Sequence, residues 1–123
     1  MSTDEEKRFQ EVLRKFEERI KDPLRMKALA SILKLVFYDG LEKKEATDLK
    51  IGDILQGEVI KDKIFLAPGG NPIQLSEEVK SSLSDYIETF RTTDSPMTPD
   101  SPLFPRYFGE SGRKNLDRDL KGK

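Results

Sequence analysis

The chain has 123 residues, 37% of them charged and 35% apolar, with a formal net charge of −1 and neither cysteine nor histidine. That length fits one domain with a modest core, much of it covered by long charged side chains. The missing cysteine excludes a disulfide framework and a thiolate metal site, and the missing histidine removes the commonest general base and any Ser-His or Cys-His nucleophile pair.

The charge balance also bears on partners. A self-sufficient nucleic-acid-binding domain is usually basic, because phosphate neutralisation supplies most of its non-specific affinity. The longest apolar runs are only a few residues, and the opening MSTDEEKR lacks the apolar stretch of a secretory signal. The expected location is the cytoplasm, with no membrane partner, no cofactor and no evident small-molecule ligand.

In chain order, Thr3 to Glu6 reads as a helix start with a capping-box spacing, and Phe9, Val12, Leu13, Phe16 and Ile20 follow at helical intervals. The first helix is expected over 4–21. Asp22-Pro23 breaks it, and Pro23 suits the first turn of a second helix over 24–38. Leu24, Ala28, Leu29, Ile32, Leu33, Leu35, Val36 and Phe37 make that helix apolar on more than one side, so it is expected at the centre of the core. Gly40 suits a left-handed C-cap. A short third helix is expected over 41–49, with Leu41, Ala46 and Leu49 facing inward.

Residues 53–76 carry short apolar runs, Val59-Ile60, Ile64-Phe65-Leu66 and Ile73, around the turn signal Pro68-Gly69-Gly70-Asn71, and predict a small antiparallel sheet. Ser76 starts a fourth helix over 77–90, with Val79, Leu83, Tyr86, Ile87 and Phe90 on one face. Residues 91–102 hold three of the seven prolines and no large aliphatic side chain, which predicts an irregular, mobile loop. Leu103-Phe104-Pro105 is expected to anchor the chain back on the core, and 110–121 to form a polar helix with Leu116 and Leu120 as its large apolar residues. The whole is expected to be one domain, with a core over 1–91, a loop over 92–102 and a C-terminal segment over 103–123.

Residues 40–54, GLEKKEATDLKIGDI, resemble the tyrosine recombinase (phage integrase) stretch that reads roughly GLR-x-x-E-x-x-x-L-x-x-x-D-I. The next segment, GEVIKDKIFLAPGGNPIQLSEEVKSSLSDYIE, is similar to that family's small sheet and following helix. Leu103-Phe104 is similar to the pair that opens the family's next segment, so the likeness spans almost the whole chain. It implies an α+β fold, helices packed on one side of a three-stranded antiparallel sheet, as in the first half of the family's catalytic domain. No separate core-binding domain is expected before it. The implied function is DNA binding, DNA integration or recombination.

The departures from the family pattern matter as much. The family's first catalytic arginine, which stabilises charge on the scissile phosphate, falls at Glu42, and a carboxylate there repels phosphate. The family's acidic residue three positions on falls at Glu45, a support without its arginine. The catalytic lysine falls in the turn Ala67-Pro68-Gly69-Gly70-Asn71, which has none; Lys61 and Lys63 lie in the preceding turn and do not replace it. The family's His-x-x-Arg, its later His or Trp and its tyrosine nucleophile would fall after Lys123. Tyr38 and Tyr86 lie on apolar helix faces and Tyr107 lies in a loop, none in a segment like the nucleophile's. The resemblance therefore implies a relative without catalytic residues.

Other features have plainer readings. Glu42, Glu45 and Asp48 on the third helix could be imagined as a carboxylate metal site. With Lys43 and Lys44 between them, a solvated charged face is the favoured reading, and no metal is expected. Gly69-Gly70-Asn71 lacks the lysine and following helix of a phosphate-binding loop, so a hairpin turn is favoured. Arg106, Arg113, Lys114, Arg118, Lys121 and Lys123 make one basic cluster, which with Glu110, Asp117 and Asp119 leaves 106–123 at +3. Either phosphate contact or a frayed, solvated tail fits it. Finally, the second apolar face of the central helix, with Leu24, Leu35 and Val36, is expected to need a cover: self-association, a partner or altered packing. This keeps open an alternative function, a protein-interaction module without a nucleic-acid role.

Overall fold

Two long helices form where the apolar spacing is helical and where caps close their ends. The computed structural model describes residues 3–66, 70–93 and 98–121, with α1 at Thr3–Arg19 and α2 at Pro23–Asp39. Asp4, Glu5 and Glu6 place negative charge at the N-terminal end of α1, where the helix dipole favours it. Leu13, Phe16 and Ile20 bury its inner stripe. The Asp22 carboxylate accepts the Leu24 N–H at 3.1 Å to cap α2, whose first residue is Pro23. Gly40 ends α2 with φ 75°, a conformation costly for other residues.

Helix α5 (Glu77–Phe90) begins where the Ser76 hydroxyl accepts the Val79 N–H at 3.2 Å. Its buried residues are the five that the sequence places on one face: Val79, Leu83, Tyr86, Ile87 and Phe90. They pack on Ala28, Leu29, Ser31, Ile32 and Leu35 of α2, the largest helix–helix contact in the protein. Ser31 and Ser82 face each other across it, with hydroxyl oxygens 3.3 Å apart. Leu35 is fully buried here, which removes it from the expected uncovered face; Leu24 is partly buried, and Val36 is 37% exposed.

The segment between α2 and α5 departs most from expectation. The third helix is shorter than 41–49: α3 is Lys43–Thr47, although Leu41, Ala46 and Leu49 are buried as expected. Ile51–Ile54 forms a helical turn, α4, which takes in the start of the expected sheet. The Asp53 carboxylate reaches back to the Lys50 N–H at 2.9 Å, a local bond that competes with strand pairing.

In place of a three-stranded sheet there are two separate two-stranded antiparallel ladders. One pairs β1 (Leu55–Gln56) with β2 (Val59–Ile60), in register Leu55 to Ile60, around Gly57 with φ 66°. The other pairs β3 (Lys63–Ile64) with β4 (Ile73–Gln74), in register Ile64 to Ile73. The expected turn at Ala67 to Gly69 lies outside the described residues. With two residues per strand, each ladder depends on neighbouring packing rather than on its own pairing.

The described part of the proline-rich loop is irregular, as expected, and is held at several points. Ile51 N–H donates to Ser101 O at 2.9 Å, Gly52 N–H to Pro99 O at 3.0 Å, and Leu103 N–H to Leu49 O at 2.9 Å. Positions 94–97 of that loop lie outside the described residues. Leu103 and Phe104 then enter the core, a 3-10 turn follows at Pro105–Tyr107, and α6 spans Gly109–Lys121. Leu116 of α6 is fully buried in the same hydrophobic cluster as α2 and α5. The Leu120 side chain is not among those described.

Candidate functional site

The basic C-terminal cluster is where sequence and structure differ most in detail. Asp119, near the end of α6, is one of three buried polar residues among those described, and three arginines, from α1, α2 and the 3-10 turn, converge on it. Arg25 of α2 donates from Nη2 to Oδ1 at 2.7 Å and from Nε to Oδ2 at 3.3 Å. Arg106 of the 3-10 turn donates from Nε to Oδ2 at 3.2 Å and from Nη2 to Oδ1 at 3.4 Å. The Tyr107 hydroxyl donates to Oδ2 at 2.7 Å, and Arg19 of α1 donates to the Asp119 carbonyl oxygen. Burial alone would raise the Asp119 carboxyl, but hydrogen bonds from Arg106, Tyr107 and Arg25 outweigh it and hold the group below the usual carboxylate range.

A second tie joins α6 to α3. The Asp48 carboxylate accepts the Gly109 N–H at 3.1 Å and Arg113 Nη1 at 3.0 Å. Lys43 Nζ lies 2.7 Å from the Asp117 carboxylate on a more exposed edge. Helix α6 therefore docks on the Lys43 and Asp48 side of α3, while Glu42, Lys43 and Lys44 stay exposed, as expected of a solvated charged face. The Glu45 carboxylate accepts the Glu42 N–H at 2.8 Å and Asp48 is engaged by α6, so the three acids do not converge on a common point. Among the described residues no group of His, Cys, Asp or Glu is placed to hold a metal ion.

The predicted DNA-contact residues divide accordingly. Arg106 and Arg113 are held in internal ion pairs. Lys114 and Arg118 are exposed on α6, Arg118 donating to the Asn115 side chain at 2.6 Å. The Lys121 side chain and Lys123 lie outside what is described. The frayed-tail expectation fails for 109–119, because α6 is helical and docked.

Glu42 is exposed and caps the N-terminus of α3 just beyond Gly40. Tyr86 is in the core, its hydroxyl donating to Leu103 O at 2.6 Å. Tyr38 is only partly buried, near Glu6 and Gln10. Tyr107 is fully buried, and its phenol is raised, first by burial and then by the neighbouring Asp119. It is a hydrogen-bond donor and not an activated oxygen nucleophile.

The residues that sequence reasoning missed are Arg19, Arg25 and Asp119. Arg25 and Asp119 are separated by 94 positions, and neither has a local pattern that names the other. The only available signal was weak: an acid embedded in a basic segment, on the same side of the helix as Leu116.

The arrangement defines an α+β domain whose C-terminal helix is clamped to the start of α2. No family model, no curated protein and no solved structure matches the chain.

Proposed function

We propose that the protein is a non-catalytic relative of the tyrosine recombinases that associates with DNA or with a DNA-processing complex. The observation that carries this reading is Glu42 within the ordered run GLEKKEATDLKIGDI. Its carboxylate is exposed just past the end of α2, where the resemblance calls for a phosphate-binding arginine. The neighbouring Glu45 carboxylate accepts the Glu42 N–H, so two acids stand close together at the start of α3. The order of elements, from two long helices through a short helix, a helical turn, two separate ladders and a helix to a Leu-Phe segment, keeps the order that the resemblance implies but not its three-stranded sheet. The reading rests on Glu42 and on the lysine-free turn, and it is independent of whatever follows Lys123.

Within that reading, Lys114 and Arg118 are, among the described side chains of the predicted contacts, the ones open to phosphate, whereas Arg106 and Arg113 would have to leave Asp119 and Asp48. Supercoiled plasmid incubated with the purified chain is expected to stay supercoiled, and short duplex DNA to be retarded in a gel at low salt. Relaxed topoisomers would contradict the non-catalytic part, and no retardation at high micromolar protein would contradict direct DNA association.

A second reading, a protein-interaction module, is favoured by the apolar side chains carried on and beside the ladders. Val59 is 70% exposed and Phe65 59% exposed. Concentration-dependent sedimentation, lost on changing Phe65 to Ser, without salt-sensitive DNA binding, supports it.

A further inference from the structure

A cavity of about 260 Å³ lies where the start of α2, the end of α5 and the 3-10 turn meet. Its apolar wall is Leu24, Ala28, Tyr86, Phe90, Phe104 and Pro105. Arg25 and Arg106 stand at its rim together with Asp22. The volume is slightly below the roughly 300 Å³ at which drug-sized ligand pockets begin, so it suits a single ring with a short arm. Four aromatic residues line the cavity, Tyr107 beside Tyr86, Phe90 and Phe104, and offer edge and face contacts to such a ring.

Arg25 and Arg106 line the cavity beside Asp22, whose Oδ1 accepts the Leu24 N–H, and the two guanidiniums share the Asp119 carboxylate. Arg25 and Arg106 each use Nε and Nη2 on Asp119, and Nη1 of each makes no hydrogen bond to a protein acceptor among the described residues. Their side chains are 34% and 44% exposed.

We propose that this cavity binds a small apolar acid, a carboxylate on an aryl or branched alkyl body. The body occupies the space between Ala28, Phe90 and Phe104, and the carboxylate takes the remaining donors of Arg25 and Arg106, an arrangement for which guanidinium is better suited than ammonium. The site is separate from the DNA-related reading above. It lies at the N-terminal end of α2, a helix of 17 residues and hence roughly 25 Å long, whereas Glu42 follows the C-terminal end.

The test is titration with 3-phenylpropionate, followed by amide and side-chain NMR shifts, with 3-phenylpropionamide as the uncharged probe of the same shape. The acid is expected to shift the signals of Ala28, Phe90 and Arg106, and the amide to bind at least tenfold more weakly. Ala28→Leu, which fills the cavity with a good helix former, is expected to abolish binding while circular dichroism stays unchanged. Equal affinity for acid and amide, or undiminished binding by Ala28→Leu, would overturn the proposal. A tetrapeptide ending in phenylalanine separates the two sources of such a carboxylate: binding of the free acid but not the peptide supports the proposal, and binding of the peptide alone overturns it.

Discussion

A buried carboxylate surrounded by guanidiniums is costly to lose because each partner is left without the charge that oriented it. At Asp119 the loss also strands the Tyr107 hydroxyl, which is fully buried and has no other acceptor of comparable quality. Removing one member of a fully buried ion pair costs about 3–5 kcal/mol, but Arg25 and Arg106 are partly open to water and recover some hydration. Asp119→Ala is therefore expected to destabilise the protein by about 2–4 kcal/mol, read from the urea midpoint at pH 7. The pH dependence follows from the depressed carboxyl. Its contribution is fully present above the unfolded value, about 3.9, and is lost as pH falls through the lower folded value. The gap between the wild type and Asp119→Ala should accordingly narrow from pH 7 to pH 3. A gap that is constant over that range would show that the charge does not carry the effect.

At the scale of elements, α6 is placed by close approach as well as by charge. A Cβ at Gly112 would overlap the Tyr107 carbonyl group, which belongs to backbone and cannot rotate away. Gly112→Ala should improve intrinsic helix propensity by up to about 1 kcal/mol yet destabilise the whole by about 1–3 kcal/mol through overpacking. Hydrogen exchange should show that protection is lost first in α6, and an unchanged or raised melting temperature would contradict this packing.

The helices were legible in the sequence because each carries its own signals. The five inward residues of α5, the Asp22-Pro23 start and the Gly40 stop of α2 are all local patterns. The ladders and α4 were less legible, because two-residue strands carry no alternation and the Asp53 bond to Lys50 looks like any acid near a loop. The clamp on α6 was illegible for a different reason: residues 19, 25, 106 and 119 meet only after the core has formed. The anchoring of 98–102 was illegible likewise, since proline content says nothing about the backbone acceptors that Ser101 and Pro99 present to α4.

For the whole molecule, one hydrophobic cluster runs from Phe16 of α1 through α2 and α5 to Leu116 of α6, with charged side chains covering its outside. A net charge of −1 gives no long-range attraction to DNA, so any association depends on where the basic residues stand. Among the described side chains, the internal pairs of Arg106 and Arg113 leave Lys114 and Arg118 as the exposed cations of the predicted contacts on α6. Fluorescence anisotropy of a labelled duplex, titrated across a salt series with the wild type and with Lys114→Ala/Arg118→Ala, puts that dependence to the test. The expected result is salt-sensitive binding by the wild type, with the slope of log affinity against log salt reduced in the variant by about 2, the value for two lost phosphate contacts. Identical slopes for the two proteins, or no binding by either at the lowest salt, would contradict a DNA-associating recombinase relative.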